Sequence, residues 1–353
     1  MKLKIRKLLF CLCLVTGLLT FLAGCPATSV RAEPKGMAYF TWFDTVSYIY
    51  SYAEDSDDTF QTNCKTAAAV LDRYHRLFDI YHEYTGVTNL ATLNREAGGE
   101  ALEVDPELVD FLLYAKEMYT RTDGKMNIMM GAVLGLWHDC RENASQDPQN
   151  ARIPDRTALE RAAAHTDQNT LEIDAGRHTV RITDPEASID VGALAKGYAT
   201  ERAARQLEAA GVDGYVLNIG GNIRLIGHKP DGSGWVTGIK DPADPGQYAA
   251  KVSLEDTSCV TSGNYERYFT VDGVRYHHII DPDTRMPSNY FASVTVITPD
   301  SGLADALSTA LFCMSYEQGL ALAQKLGDVQ VLWILPDGTQ YRTPELALLA
   351  LNF

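Results

Sequence analysis

Strand and helix patterns alternate along residues 43–335, and this alternation constrains the fold more than any other feature of the sequence. Apolar and polar residues alternate over residues 43–52, with Val46, Tyr48, Tyr50 and Tyr52 on one face, which predicts a half-buried strand. Asp57 or Asp58 can cap a long helix that runs to Tyr81, because apolar residues from Ala68 to Phe78 recur at helical spacing. Strand and helix patterns continue to alternate up to residue 335. We therefore expect an α+β or mixed α/β fold with several antiparallel strands.

Local signals place the boundaries of further elements. Asp105 followed by proline predicts the start of a helix, and Gly211 is expected to end another that begins near Ala193. Two stretches lack a clear pattern. Residues 86–99 are predicted to be a loop, and the polar residues 135–150 are the expected position of an inserted loop.

Composition excludes several classes of protein. Hydrophobic residues make up 46% and charged residues 22% of the 353 residues, as in ordinary globular domains and unlike disordered chains. The net charge of −15, with no basic run after the first residues, argues against a nucleic-acid partner. The seven cysteines are too scattered for a disulfide scaffold or a zinc site.

Residues 1–24 are expected to be a signal peptide of the lipoprotein type. A basic start is followed by an apolar run over residues 8–23, shorter than the ~20 residues that a spanning helix needs. The run ends in Leu22-Ala-Gly-Cys25, which resembles a bacterial lipobox, so Cys25 would carry lipid. The alternatives are an ordinary signal peptide and a short membrane anchor. Residues 25–36 would form a tether, and residues 37–353 the folded domain.

Residues suited to chemistry are concentrated in the second half of the chain. They form five segments, at residues 190–198, 218–224, 261–265, 276–282 and 305–309. In the first, a new helix N-terminus and Lys196 would suit a phosphate, although an ordinary capped helix with a solvated lysine remains an alternative. The paired glycines of the second and the Thr-Ser-Gly of the third allow close approach of a ligand, or plain turns.

The last two segments offer a base and a cation site. His277 and His278 are adjacent in a predicted strand, so they face opposite ways and only one can line a given site. Asp305 and Thr309 share one helical face, where a carboxylate and a hydroxyl would suit Mg²⁺ completed by substrate phosphates. Alternatively, Asp305 is only an early-helix charge favoured by the helix dipole.

In their order, these segments resemble the ApbE family, the flavin transferases that move FMN from FAD onto a protein. The resemblance covers nearly the whole mature chain. It begins at Phe43-Asp-Thr45, where many members have Met-Gly-Thr, and runs through Tyr81–Tyr84, Leu93-Asn94, Gly124–Asn127 and Leu136-Trp137 to the Asp305 helix. It implies mixed, largely antiparallel sheets with packed helices and an FAD cleft between two lobes.

The resemblance also assigns roles to residues. The catalytic residues would be His278, Lys196 and Asp305. FAD would be bound by Phe43, Tyr84, Lys125, Met126, Asn127, Asp190, Lys196 and Ile279. The Mg²⁺ ligands would be the carbonyl of Ala193, Asp305, Thr309 and Ser308, the last standing where some members have a second Asp.

The implied reaction moves FMN from FAD to a Thr or Ser hydroxyl of a target flavoprotein and releases AMP. The target would be a Thr-bearing subunit of a membrane electron-transfer complex, of the Rnf type or a sodium-pumping quinone reductase. The protein would be exported and lipid-anchored to the outer face of the cell membrane. Two alternatives remain: an FAD pyrophosphatase that yields FMN and AMP, and a non-catalytic FAD-binding lipoprotein.

We expect the native protein to begin at a lipidated Cys25, because the leader ends directly before that residue. Mass spectrometry of the N-terminal peptide from cell membranes tests this, with Cys25→Ser as the control that should lose the lipid. An unmodified N-terminus that starts after Cys25 would contradict the prediction.

Overall fold

The computed structural model describes residues 33–244 and 246–349, and the residues from Lys35 onward form one unit. The predicted signal peptide and Cys25 lie outside the described residues. The first strand begins at Lys35, so the last two residues assigned to the tether belong to the fold. In the described part of the chain, no helix combines the length and the apolar character that crossing a membrane requires.

Fifteen strands and eight helices are described. The strands are β1 (Lys35–Tyr39), β2 (Ser47–Ser51), β3 (Leu102–Glu103), β4 (Leu171–Asp174), β5 (Thr179–Ile182), β6 (Tyr215–Ile219), β7 (Asn222–Ile226), β8 (Trp235–Lys240), β9 (Tyr248–Leu254), β10 (Ser258–Gly263), β11 (Tyr268–Val271), β12 (Val274–His277), β13 (Ser293–Thr298), β14 (Gln330–Ile334) and β15 (Gln340–Arg342). The helices are α1 (Asp57–Phe78), α2 (Leu90–Arg95), α3 (Pro106–Arg121), α4 (Gly131–Gln146), α5 (Arg156–Ala163), α6 (Ala195–Ala209), α7 (Ser301–Phe312) and α8 (Tyr316–Leu326).

An eight-stranded sheet forms the centre of the fold, in the order β1-β2-β6-β7-β10-β13-β14-β15. Every neighbouring pair in it is antiparallel. Smaller antiparallel sheets are formed by β3-β5-β4, by β8-β9 and by β11-β12. The expected mixture of helices with largely antiparallel sheets is therefore confirmed.

The two faces of the central sheet are covered differently. Helices α1, α6 and α7 lie on one face, where Ile49, Leu217 and Val294 are fully buried in the main core. On the other face, the β8–β9 hairpin buries Trp235 and Val252 in a second core with residues of β7, β10, β13 and β14. Within the described residues, the outward side of β2 and β6 is left open to the cleft described below.

Strand β2 confirms the predicted strand and shows which of its faces is buried. Ser47, Ile49 and Ser51 point into the core, whereas Tyr48 and Tyr50 are half-buried on the open side. The buried face was hard to identify from sequence because it carries two serines, while the open face carries the large apolar rings.

Two predicted loops are wrong. Residues 86–99 contain α2, whose N-cap is Asn89, with its side-chain oxygen 3.0 Å from the N–H of Thr92. Residues 135–150 lie largely in α4, which buries Val133, Trp137 and Ala144 at helical spacing. The polar residues between these positions hid the repeat.

Helix α1 begins and ends differently from the prediction. Ser56, and neither Asp57 nor Asp58, caps its N-terminus by accepting a hydrogen bond from the N–H of Thr59 at 3.1 Å. The helix ends at Phe78, because the next residue, Asp79, has an extended backbone. The Asp79 carboxylate accepts hydrogen bonds from the N–H groups of Tyr81 and His82. The cap predicted at Asp105 is confirmed, since its side chain accepts the N–H of Glu107.

Helices α6 and α7 approach each other most closely at Gly197. A Cβ atom at this position would lie 2.3 Å from Cβ of Asp305 and 2.3 Å from the backbone oxygen of Ser301. No larger residue fits without moving one helix. The absence of a side chain thus brings the Gly197 N–H to 2.8 Å from the Asp305 carboxylate.

We expect Gly197→Ala to lower the free energy of unfolding by about 1–3 kcal/mol, because it overpacks this helix crossing. Gly135→Ala is the matched control, since it lies in α4 with no heavy atom within 4 Å of a new Cβ. The control should gain about 0.5–1 kcal/mol from the better helix former. Urea unfolding of both variants measures the difference, and a Gly197→Ala protein as stable as wild type would contradict the tight crossing.

Candidate active site

One cavity of about 1560 Å³ collects residues from all five chemical segments. It is lined by all but one of the residues that the sequence assigned to the site, namely Phe43, Tyr84, Lys125, Met126, Asn127, Asp190, Ala193, Lys196, His278, Ile279, Asp305 and Thr309. A smaller hollow of about 390 Å³ beside α1 contains none of them. The fold therefore brings together residues that are as far as 266 positions apart in the chain, from Phe43 to Thr309.

Ser308 is the assigned residue that does not line the cavity. Its side chain is fully buried, and its hydroxyl donates to the backbone oxygen of Asp305 at 3.0 Å. The same hydroxyl lies 2.8 Å from the hydroxyl of Ser262 on β10. Ser308 is thus placed behind the site, where it ties α7 to the sheet.

Asp305 is a nearly buried carboxylate on the cavity wall. It is 3% exposed, accepts the Gly197 N–H at 2.8 Å and lies 3.8 Å from Nζ of Lys196. Burial raises the pKa of Asp305, and Lys196 and the hydrogen-bond donors around it oppose that rise. A carboxylate held this way favours a nearby cation.

Oxygen atoms of other elements converge near this carboxylate. Gly197 lies in the first turn of α6, where a backbone N–H has no partner within the helix, and it donates instead to the Asp305 carboxylate. The carbonyl of Ala193, just before the helix, also lines the cavity. Thr309 Oγ1 lies 3.3 Å from the hydroxyl of Ser262. Asn222 Oδ1 is buried on the cavity wall without a hydrogen-bond partner. This donor set consists of hard oxygens.

Acidic and imidazole side chains do not crowd the site. Among the residues that the structure describes, no group of three or more His, Cys, Asp or Glu is arranged to hold a metal ion. A cation bound at Asp305 would therefore take much of its coordination from neutral oxygens and from a substrate.

Lys125 joins two walls of the cavity. Its Nζ lies 2.7 Å from Asp281 and 2.7 Å from Asp283, and the lysine and Asp281 side chains are largely buried. Burial opposes the lysine charge, but the hydrogen bonds to the two carboxylates prevail and raise the pKa of Lys125. Asp281 is thus paired with Lys125 and does not orient a histidine.

Asn127 and Met126 support this wall from the protein side. The Asn127 oxygen accepts the N–H of Met129 at 2.8 Å, and its amide donates to the Thr166 carbonyl at 3.0 Å. Met126 is 2% exposed. Both residues shape the loop against which a ligand would lie.

Two aromatic side chains form another part of the wall. Phe43 has the unusual backbone angle φ = 52° and its ring meets His75 edge to face at 5.5 Å. The Tyr84 hydroxyl donates to Asp79 at 2.8 Å, and burial together with this carboxylate raises the pKa of Tyr84 to about 12. Its ring is therefore held in place and uncharged.

The adjacent histidines point to opposite sides, as their spacing predicts. His277 is buried, with Nε2 at 2.7 Å from the carbonyl of Ser288. His278 lines the cavity, and its Nδ1 lies 3.2 Å from the carbonyl of Arg267, so Nδ1 carries the hydrogen and Nε2 the lone pair. Although solvent reaches part of the ring, burial in the cleft and the Arg267 charge lower the pKa of His278 to about 3.

Sequence reasoning assigned no role to several residues of the cavity wall, Tyr81, His138 and Arg141 among them. The rings of Tyr81 and His138 are tilted with their centres 5.6 Å apart, and the Arg141 guanidinium lies 2.8 Å from His138 Nδ1. His138 and Arg141 lie on α4, in the stretch predicted to be an inserted loop. Their i, i+3 spacing on a helix was the available signal.

Comparison with known proteins agrees with this site. The profile described as the ApbE family matches residues 43–333. The FAD:protein FMN transferase of Treponema pallidum is 38% identical over 263 residues, which are 70% of this chain and 71% of that protein.

Solved structures give the same result. The ApbE protein of Thermotoga maritima superposes with a TM-score of 0.77 at 30% identity, covering 88% of this chain and 97% of that one. The flavin transferase ApbE of Vibrio cholerae gives 0.73 at 26% identity, covering 88% and 98%. The profile spans every residue that the sequence assigned to the cavity, and on this ground the chain belongs to the ApbE family.

Proposed function

We propose that this chain transfers FMN from FAD to a Thr or Ser hydroxyl of an acceptor flavoprotein, with Mg²⁺, and releases AMP. The observation that carries the proposal is the single cavity in which the Asp305 carboxylate, the Lys196 ammonium and the neutral His278 imidazole all meet. The relatives named FAD:protein FMN transferase support the same activity.

The residues around Asp305 fit Mg²⁺. Its carboxylate, the Thr309 hydroxyl and the Ala193 carbonyl are hard-oxygen ligands, and the buried Asn222 Oδ1 still lacks a partner. When bound, the ion would neutralise charge on the substrate phosphates. Ser308, being turned toward Ser262, would hold α7 in place and would not be a ligand.

The reaction exchanges one phosphorus–oxygen bond for another. The acceptor hydroxyl oxygen bonds the FMN phosphorus, the bond from that phosphorus to the AMP oxygen breaks, and the hydroxyl proton leaves. Such transfers depend mainly on positioning and charge neutralisation. Lys196 places a positive charge 3.8 Å from Asp305 at the phosphate end, and the lone pair on His278 Nε2 can take the proton.

The anchored location belongs to the same proposal. The basic and apolar leader before Cys25 supports export and a lipid anchor on the outer face of the membrane. There the protein would meet membrane electron-transfer complexes whose subunits carry covalent FMN.

Incubating the mature protein with FAD, Mg²⁺ and an acceptor, then weighing all products, tests the function. An FMN adduct on the acceptor together with AMP supports transfer. Free FMN and AMP without an adduct would show hydrolysis of FAD, with water in place of the acceptor hydroxyl. Unchanged FAD would leave only a binding protein.

We expect Asp305→Asn to slow FMN transfer by at least about 100-fold, because the cation loses its charged ligand. Thr309→Val should also slow transfer and weaken Mg²⁺-dependent FAD binding, since it keeps the shape of threonine and loses the oxygen. Transfer rate and FAD affinity are both measured against Mg²⁺ concentration.

Asp300→Asn is the matched control for this series. Asp300 caps the same helix, lies outside the cavity wall, and asparagine caps helices about as well as aspartate. The control should keep wild-type rates. Full activity of Asp305→Asn, or of the wild type in EDTA, would refute the metal site.

His278 should give the folded protein a measurable dependence on acid. Its pKa is about 3 when folded and near 6.5 when unfolded, so the unfolded chain binds an extra proton as pH falls below about 6.5. Stability is therefore lost on acidification through this window. We expect the free energy of unfolding to fall more between pH 7 and pH 5 in wild type than in His278→Asn, measured by urea unfolding without ligands. Parallel pH slopes would contradict the lowered pKa.

A further inference from the structure

The cavity continues beyond the candidate active site onto the open side of the central sheet. Tyr48 and Tyr50 of β2 and Val216 and Asn218 of β6 line the same cavity as Asp305 and His278. We call these four residues the tyrosine strip. In the strand register Tyr48 lies opposite Asn218 and Tyr50 opposite Val216, so the four side chains form one continuous patch.

The cavity is larger than a small-molecule site needs. Its volume of about 1560 Å³ exceeds the roughly 300–1,000 Å³ that is usual for ligand pockets. Space therefore remains beside a bound dinucleotide. The transfer proposed above requires a second macromolecular substrate, and its hydroxyl has to reach the phosphorus through this open part.

The chemistry of the tyrosine strip suits a polypeptide. The rings of Tyr48 and Tyr50 are stacked with centres 5.7 Å apart and planes within 13°. Tyrosines offer large, rigid contact area together with a hydroxyl that can bond a peptide backbone, and they are enriched at protein interfaces. The next tyrosine, Tyr52, is 40% exposed and braced edge to face against Trp235 at 5.1 Å.

The shape of the strip indicates an extended segment. Tyr48 and Tyr50 lie two positions apart in a strand, which is the repeat of side chains along any extended chain. On one side the strip is bordered by the small residues Gly36 and Ala38 of β1, which lie opposite Tyr50 and Tyr48. On the other side stands the β8–β9 hairpin with Val236 and Tyr248 exposed.

The strip itself carries no charge. None of the residues of the strip or of its β1 border is charged, although the chain as a whole carries −15. Charged side chains, Lys240 and Glu266 among them, line other parts of the same cavity. The strip therefore offers a partner contact area and hydroxyl groups, and no ion pair.

We propose that the tyrosine strip binds an extended segment of the acceptor protein and guides its Thr or Ser hydroxyl into the cleft. This inference rests on the proposed transferase function. It adds that acceptor binding and FAD binding use different residues of one cavity.

The test separates these two kinds of binding. The acceptor probe is a detergent extract of membrane proteins from the source cells, and covalent FMN is read as fluorescence in a denaturing gel. FAD binding is measured separately by quenching of its fluorescence. The variants are the double substitution Tyr48→Ser with Tyr50→Ser, and Ala38→Glu, which adds a charge at the border and removes no buried atom.

Both variants should label acceptors at least about tenfold more slowly at low extract concentration, as expected for loss of an aromatic anchor, and recover at high concentration. Their affinity for FAD should equal that of wild type. The control is Tyr341→Ser, a tyrosine on β15 that is 41% exposed at the far edge of the same sheet and outside the cavity wall. It should label like wild type.

Other results would overturn the inference. Wild-type labelling by both variants would show that acceptors bind elsewhere, and weakened FAD binding would assign the strip to the nucleotide. A change of oligomeric state on sedimentation would make the strip a contact between copies, and loss of binding to phosphatidylglycerol vesicles would make it a lipid surface. If the wild type itself binds FAD but labels nothing, the proposed function fails and the inference fails with it.

Discussion

The close crossing of α6 and α7 at Gly197 is the contact on which the rest of the site depends. Without a side chain there, the two helices meet, and a first-turn N–H that has no partner within its own helix bonds the Asp305 carboxylate. Buried Glu201 secures the crossing one turn further on, because it accepts the N–H of Ser301 at 2.9 Å and faces Arg224 of the sheet at 3.4 Å. One packing constraint thus fixes the Asp305 carboxylate and the start of α6 together.

The antiparallel sheet supplies the other half of the site. Neighbouring strands β6, β7 and β10 deliver Asn218, Asn222 and Ser262 to the same cavity, while the loop after β12 delivers His278. Because helices cover one side of the sheet and the β8–β9 hairpin covers only part of the other, the cleft stays open at β2 and β6. The fold therefore accounts both for the enclosed charges and for the open approach to them.

Much of this organisation could be predicted from the sequence. Capping at Asp105 and the paired glycines after β6 act through local geometry, which a short window of sequence records. The errors arise where tertiary contacts decide. Helix α4 is amphipathic only with respect to a core formed by distant strands, and the orientation of Ser308 depends on Ser262, 46 residues earlier. The pairing of Lys125 with Asp281 likewise joins residues that no local pattern connects.

Alternate residues of strand β2 face opposite sides of the central sheet, one side in the core and the other in the cleft. Ser47, Ile49 and Ser51 hold the core, whereas Tyr48 and Tyr50 contribute little to it. Substitutions on the outward side can therefore alter what the surface recognises while the fold persists, and substitutions on the inward side cannot. If the strip binds the acceptor as proposed, partner choice can therefore change within one strand of five residues at little cost to the core.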